Sequence, residues 1–142
     1  MNTKRILYQL AMVTLSIGFL SIGLVTYWFI APYDVLELKK GNGELTYTEV
    51  KSGSYLEMRQ VYCKKMDFIS TVDRKFIDGI LYQAPQIKAS RKVGCYDTIE
   101  YVYIPKALPT GKMKLQDTIS FKVNPLRTVT YTVETDSFTI YK

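Results

Sequence analysis

The chain has 142 residues, 47% of them hydrophobic, with 19 Lys and Arg against 13 Asp and Glu, a formal net charge of +6 and no histidine. That length accommodates one domain of ordinary size plus a membrane anchor. The lack of histidine removes the commonest general base, the commonest neutral metal ligand and every Ser-His or Cys-His arrangement.

Lys4 and Arg5 stand directly before an uncharged run from Ile6 to Ala31. As a helix that run spans roughly 39 Å at ~1.5 Å per residue, against a hydrocarbon core of about 30 Å. A secretory h-region covers only about 7–15 residues before a small-residue cleavage site. Ser16-Ile17-Gly18 and Ser21-Ile22-Gly23 keep a cleaved signal as the alternative, but the chain stays apolar from Leu24 to Ala31. Tyr27, Trp28 and Phe29 read as an aromatic belt at the headgroup level. The expectation is a retained signal-anchor helix over residues 6–31, with residues 1–5 in the cytoplasm and residues 34–142 exported. This makes a single-pass protein of the cytoplasmic (inner) membrane, with the lipid bilayer as its first partner. Ala11, Thr14, Gly18, Ser21 and Val25 recur at spacings of three and four. Such a stripe of mostly small residues is a candidate helix–helix face for homo-oligomerisation, although small residues are common in membrane helices generally.

The exported part keeps 17 of the basic residues and all 13 acidic ones, a net of +4. Its Tyr, Thr and Val content favours strands over helices. In chain order, "YDVLEL" and "LTYTEV" flank "KKGNGE", which reads as a glycine-rich hairpin turn. "SYLEMRQVYC", "FISTVDRKF", "GILYQ" and "CYDTIEYVYI" follow, split by Gly, Pro, Asp and Lys. In "KMKLQDTISFKV", Met113, Leu115, Ile119, Phe121 and Val123 share one face with Asp117 as the exception, the pattern of a strand with one face in a core. Asn124-Pro125 turns the chain into "LRTVTYTV", with Val129, Tyr131 and Val133 inward, and "SFTIY" closes it. About nine short strands without a further amphipathic helix predict an all-β fold, an antiparallel β-sandwich.

Cys63 and Cys95 each lie in or beside a predicted strand of an exported domain, so a disulfide is expected, with two buried free thiols as the alternative. Two cysteines without histidine supply only half a tetrahedral metal set, and no metal or cofactor is expected.

The segment "IPKALPTGKMKLQDTISFKVNPLRTVTYTVETDSFTI" resembles the closing strands of immunoglobulin-like and fibronectin-like sandwich domains. It also loosely resembles short single-pass membrane proteins encoded by bacteriophages. The resemblance implies an immunoglobulin-like architecture, but it carries over no functional residues. True immunoglobulin domains pack a tryptophan on a widely spaced disulfide and place a tyrosine two residues before the second cysteine. Here the one tryptophan, Trp28, is in the anchor, and Val93 stands where that tyrosine would be.

No nucleophile elbow, phosphate-binding glycine loop, C-x-x-C pair or calcium loop occurs. Asp67, Asp73 and Asp78 are the carboxylates from which an acid–base pair would have to be built, and they also fit as punctuation of strand ends and turns. Asp117, on an apolar face, needs a partner or a shifted pKa if buried; a place near a sheet edge is the expected resolution. "KASRKVGC" puts Lys88, Arg91 and Lys92 in a loop before Cys95. With Lys64 and Lys65 beside Cys63, a disulfide would gather these five cations into a patch for an anionic partner, against a solvated loop as the alternative. Outward tyrosines offer a protein-contact surface. Export argues against nucleic acid despite the basic pI. The reading is a membrane-anchored, non-enzymatic binding or assembly module facing an unidentified protein or an anionic envelope component. The alternative is an envelope (cell-wall) hydrolase working through carboxylates.

Overall fold

The computed structural model describes residues 3–142, so Met1 and Asn2 of the expected cytoplasmic segment lie outside the described residues. Helix α1 runs Thr3–Ile30, longer at its start than the expected 6–31 because Lys4 and Arg5 join the helix. From Ile6 onward it carries no charge, it is long enough to cross a bilayer, and none of its Lys4–Ile30 span is buried against protein.

Ten strands follow: β1 Leu36–Leu38, β2 Glu49–Lys51, β3 Tyr55–Lys64, β4 Ser70–Ile77, β5 Leu81–Gln83, β6 Ile87–Ala89, β7 Gly94–Tyr103, β8 Gly111–Asn124, β9 Arg127–Glu134 and β10 Phe138–Tyr141. They form two sheets. One has the order β1-β3-β7; the other has the order β2-β10-β8-β4-β5, with β6 also on β4 and β9 also on β8. Leu56, Met58 and Val102 of the first sheet and Phe76, Met113, Leu115, Phe138 and Ile140 of the second belong to one buried cluster. The alternation expected for β8 holds, with Met113, Leu115, Phe121 and Val123 buried and Ile119 only half-buried.

Three expectations about the strands change. Residues 33–50 are no hairpin: β1 pairs with β3, whereas β2 pairs with β10 in the other sheet. The reason lies in the glycine loop. After β1 the chain keeps running along β3, with Gly43 N donating to Arg59 O, Arg59 N to Glu44 O and Thr46 N to Glu57 O, before it crosses to β10. Gly43, at φ +87, adopts a backbone conformation that favours glycine, and a Cβ there would press on Glu134 O and Val133 Cγ1 at 3.1 Å. The β2–β10 pair is also parallel, an exception among otherwise antiparallel registers. Finally, "QIKA" supplies a tenth strand, β6, whose Lys88 pairs with Thr71 of β4 instead of lying in a loop.

The chain divides into two compact units, and residues 124–127 at the β8–β9 turn group with the helix. Within that unit Asn124 Nδ2 donates to Trp28 O (3.1 Å) and to the Tyr33 hydroxyl (3.2 Å). Arg127 Nη1 donates to Phe29 O (2.9 Å) and Ala31 O (2.8 Å), and its guanidinium sits 5.5 Å from the centre of the Tyr33 ring. The last carbonyls of a helix lack intrahelical donors, and a cation there complements the helix dipole. The last turn of α1 has no basic residue of its own. Arg127 and Asn124 supply the missing cap from 96 or more residues away in sequence.

Candidate functional site

β3 and β7 pair over all ten of their positions, with Cys63 directly opposite Cys95 and Tyr55 opposite Tyr103. The two cysteines are joined as a disulfide. Because side chains alternate along a strand, Leu56, Met58, Gln60, Tyr62 and Lys64 of β3 face inward, as do Val102, Glu100, Thr98 and Tyr96 of β7. This inner face is apolar at one end and polar at the other.

The polar end meets its counterpart on the second sheet. Arg74 of β4 lies opposite Asp117 of β8. Its Nε donates to Asp117 Oδ1 (2.8 Å), and its Nη2 to Asp117 Oδ2 (2.6 Å) and Glu100 Oε1 (2.8 Å). Gln60 Nε2 donates to the other oxygen of Glu100. Arg74 is 5% exposed and Asp117 3%. Burial is the largest influence on Arg74 and acts to lower its pKa, but the bonds and charges of Asp117 and Glu100 outweigh it and raise the guanidinium above its ordinary value. Asp117 therefore lies deep inside and paired, not near an edge as expected. The partner sits 43 residues away, and nothing local in the sequence announces it.

Beside this cluster is a cavity of about 270 Å³ between the sheets, lined by apolar residues such as Leu36, Met58, Val72 and Phe121 and by Lys64, Arg74, Glu100 and Asp117. With Arg91, which also lines it, the charged side chains at the cavity number three positive against two negative. Among the described residues every buried side-chain nitrogen or oxygen has a hydrogen-bond partner. The cavity is thus polar on one side yet internally satisfied.

The five expected patch cations separate into different environments. Lys64 turns inward, 4% exposed; its Nζ donates to Arg91 O and stands 3.6 Å from Asp67 Oδ1. Lys65 is held by Asp34 and Glu37, which raises its pKa, while Glu37 is drawn below its ordinary value by Lys39 first and then Lys65. Arg91 packs its guanidinium against the rings of Tyr62 (5.9 Å) and Tyr96 (5.5 Å) and donates to the Tyr62 hydroxyl at 3.0 Å. Burial is the main cause of a raised Tyr62 pKa. Lys88, Arg91 and Lys92 remain at the surface. The structure brings Lys64 and Arg91 together and leaves Lys65 on its own acidic pair.

Of the carboxylates considered for catalysis, Asp67 lies in the loop before β4 and Asp78 in the bend after it, whereas Asp73 sits within β4 opposite Thr118 and not at a strand end or turn as expected. Asp67 is exposed beside Lys64, Asp73 accepts from Gln86 at 2.9 Å, and Asp78 accepts from the Ile80 N–H at 3.1 Å. In α1, Ala11, Thr14 and Gly18 line a shallow groove with Leu15, Phe19 and Ile22. The Thr14 and Ser21 hydroxyls donate to Leu10 O and Ile17 O within the helix, both at 2.9 Å. Val25, the last residue of that stripe, is 42% exposed.

The outward tyrosines expected to offer a contact surface include three that gather at one sheet edge. β7 ends its sheet, and among the described residues no strand pairs with its other edge. Its outward side chains include Ile99 (52% exposed), Tyr101 (62%) and Tyr103 (47%), with Tyr55 of β3 (61%) packed at a tilt against Tyr103, 5.5 Å between ring centres. Arg59 and Asp97 form a two-point ion pair on the same face at 2.9 and 2.7 Å, which draws the Asp97 pKa down. Nothing in "CYDTIEYVYI" tells an edge strand from a central one.

No family model matches this chain, no curated protein is detectably similar to it in sequence, and no solved structure matches its fold.

Proposed function

We propose that this chain is a membrane-anchored, non-enzymatic binding module that displays an immunoglobulin-like β-sandwich on the outer side of a cytoplasmic membrane and engages a partner protein along β7. The observation that carries the reading is the unpaired β7 edge with Ile99, Tyr101, Tyr103 and Tyr55 exposed beside it. An open edge offers main-chain hydrogen bonds to an added strand, and flanking aromatic side chains supply contact area. Support for the immunoglobulin-like arrangement comes from the strand order. Lettered in that scheme, β1-β3-β7 reads A-B-E and β10-β8-β4 reads G-F-C, which follows the division of the immunoglobulin sheets. The disulfide departs from the scheme, since it joins neighbours in one sheet instead of bridging the two. Export rests on Lys4 and Arg5 before the apolar helix, by the positive-inside rule. A phage-encoded protein of this kind would act in host-envelope modification, exclusion, lysis or virion assembly. The hydrolase alternative is weakened because Asp117 and Glu100, the carboxylates facing the cavity, are both committed to Arg74.

The test is site-specific photo-crosslinking in intact cells with the full-length chain. A photoreactive phenylalanine in place of Tyr101 should give one discrete adduct, and the same group in place of exposed Lys112 on β8 should give none. Adducts of equal yield at both sites, or none at Tyr101, would refute the β7 surface, and turnover of cell-wall material by the purified chain would favour the hydrolase.

A further inference from the structure

A turn of two sheet strands has no reason of its own to approach a bilayer, yet Asn124–Arg127 is fastened to the end of α1. The fastening is to main chain: Trp28 O, Phe29 O and Ala31 O all accept from its side chains, at 2.8 to 3.1 Å. Backbone carbonyls do not slide along a helix, so these bonds set the depth of the turn at the final turn of α1. That turn carries Trp28 and Phe29, and Tyr33 joins the same cluster through Asn124 and Arg127. Aromatic residues of this kind collect at the level of the lipid headgroups.

Between the two clamping residues stand Pro125 and Leu126, neither of which has a polar side chain. The Leu126 N–H is satisfied by Asn124 Oδ1 at 2.9 Å, so the main chain at the tip does not need water for that group. Leu126 is 50% exposed, and Phe29 and Ile30 of the same unit are 58% and 74% exposed. An exposed leucine is ordinary on a water-facing surface. This one lies within one residue of Arg127 and two of Asn124, hence within several ångströms of the helix end at ~3.5 Å per residue.

We propose that the Pro125–Leu126 tip is a second membrane contact, entering the headgroup–acyl boundary of the leaflet in which α1 ends, with Leu126 in lipid and Arg127 and Asn124 capping the helix carbonyls at that boundary. The inference rests on α1 being a retained membrane span. It adds an interaction surface whose partner is the phospholipid interface, continuous with the span through the cluster of Asn124, Arg127, Trp28 and Tyr33.

Both native cysteines are in the disulfide, so an introduced cysteine is the one free thiol among the described residues. The full-length chain is labelled with an environment-sensitive fluorophore at Leu126→Cys, Tyr27→Cys or Lys142→Cys and reconstituted in phosphatidylcholine nanodiscs. A share of the lipid carries a nitroxide quencher high on the acyl chain. Quenching at position 126 should match that at 27 to within about twofold and exceed that at 142 by at least about threefold. If 27 is quenched and 126 behaves like 142, the tip contact is wrong while the anchor stands. If 27 itself escapes quenching, the membrane reading fails and takes the tip contact with it.

Discussion

Replacing Arg74 with methionine should destabilise the domain far more than the loss of one surface ion pair would. Methionine keeps most of the volume but strips both oxygens of Asp117, which is 3% exposed, and one oxygen of Glu100. Removing one partner of a buried pair leaves an uncompensated charge and costs about 3–5 kcal/mol. At about 4 °C per kcal/mol for a domain of this size, the melting temperature should fall by about 12–20 °C. The double variant Arg74→Met/Asp117→Leu tests the cause. With both buried charges gone, the apolar replacement should recover most of the loss, because buried ion pairs are often no better than packed hydrophobic residues of similar volume. Glu100 keeps Gln60 and partial exposure, so it tolerates the change. The assay is thermal unfolding of the full chain in detergent micelles, followed by near-ultraviolet circular dichroism of the tyrosines. Arg74→Met melting within about 2 °C of wild type would refute the reasoning, and so would a double variant no more stable than the sum of the single losses.

Two further predictions concern the other sheet. Cys63→Ala should cost about 3–4 kcal/mol on the chain-entropy model, because the disulfide closes a loop of 32 residues; full reactivity of both wild-type thiols with a maleimide under denaturing, non-reducing conditions would overturn it. Stability should be greatest on a plateau bounded by two sets of groups. Asp97 and Glu37 have lowered folded-state pKa values, so their contribution is present above their ordinary values of 3.8 and 4.5 and lost as pH falls through the lower folded values. Tyr62 and Lys65 have raised ones, so theirs is present below 10.0 and 10.5 and lost as pH rises through the higher folded values. Melting temperatures measured from pH 3 to 11 should fall at both ends, and Tyr62→Phe should flatten the alkaline fall; an unchanged melting temperature between pH 9 and 11 in wild type would count against it.

What could be read from residue order was whatever repeats with period two. Met113, Leu115, Ile119, Phe121 and Val123 announce an inward face, and all but the half-buried Ile119 are buried. Cys63 and Cys95 in strand contexts announced their bond. Pairing between distant strands was not legible, because periodicity says which way a side chain points but not what it meets. Asp117 looked like a flaw in an apolar face until β4 brought Arg74 opposite it. The glycine loop at 41–43 looked like a hairpin, since local turn chemistry is the same whether the chain folds back or bulges and carries on along β3. Lys64 and Lys65 are adjacent in sequence and suggest one patch, yet alternation sends the first inward, to Arg91 O, and leaves the second outside with Asp34 and Glu37.

The position of β10 has a consequence for the order of events during synthesis. This four-residue strand lies between β2 and β8, and its Phe138 and Ile140 are each 1% exposed. β2, made some ninety residues earlier, pairs with no other strand among the described residues, so its backbone hydrogen bonds wait for β10. Contacts separated so widely in sequence form late and slowly. A chain threaded outward from an N-terminal helix would therefore wait with its core half open until residues 138–141 had emerged. Over that interval the β2 segment and the Gly111–Met113 edge of β8, which β10 covers, stay exposed to chaperones, proteases and neighbouring chains.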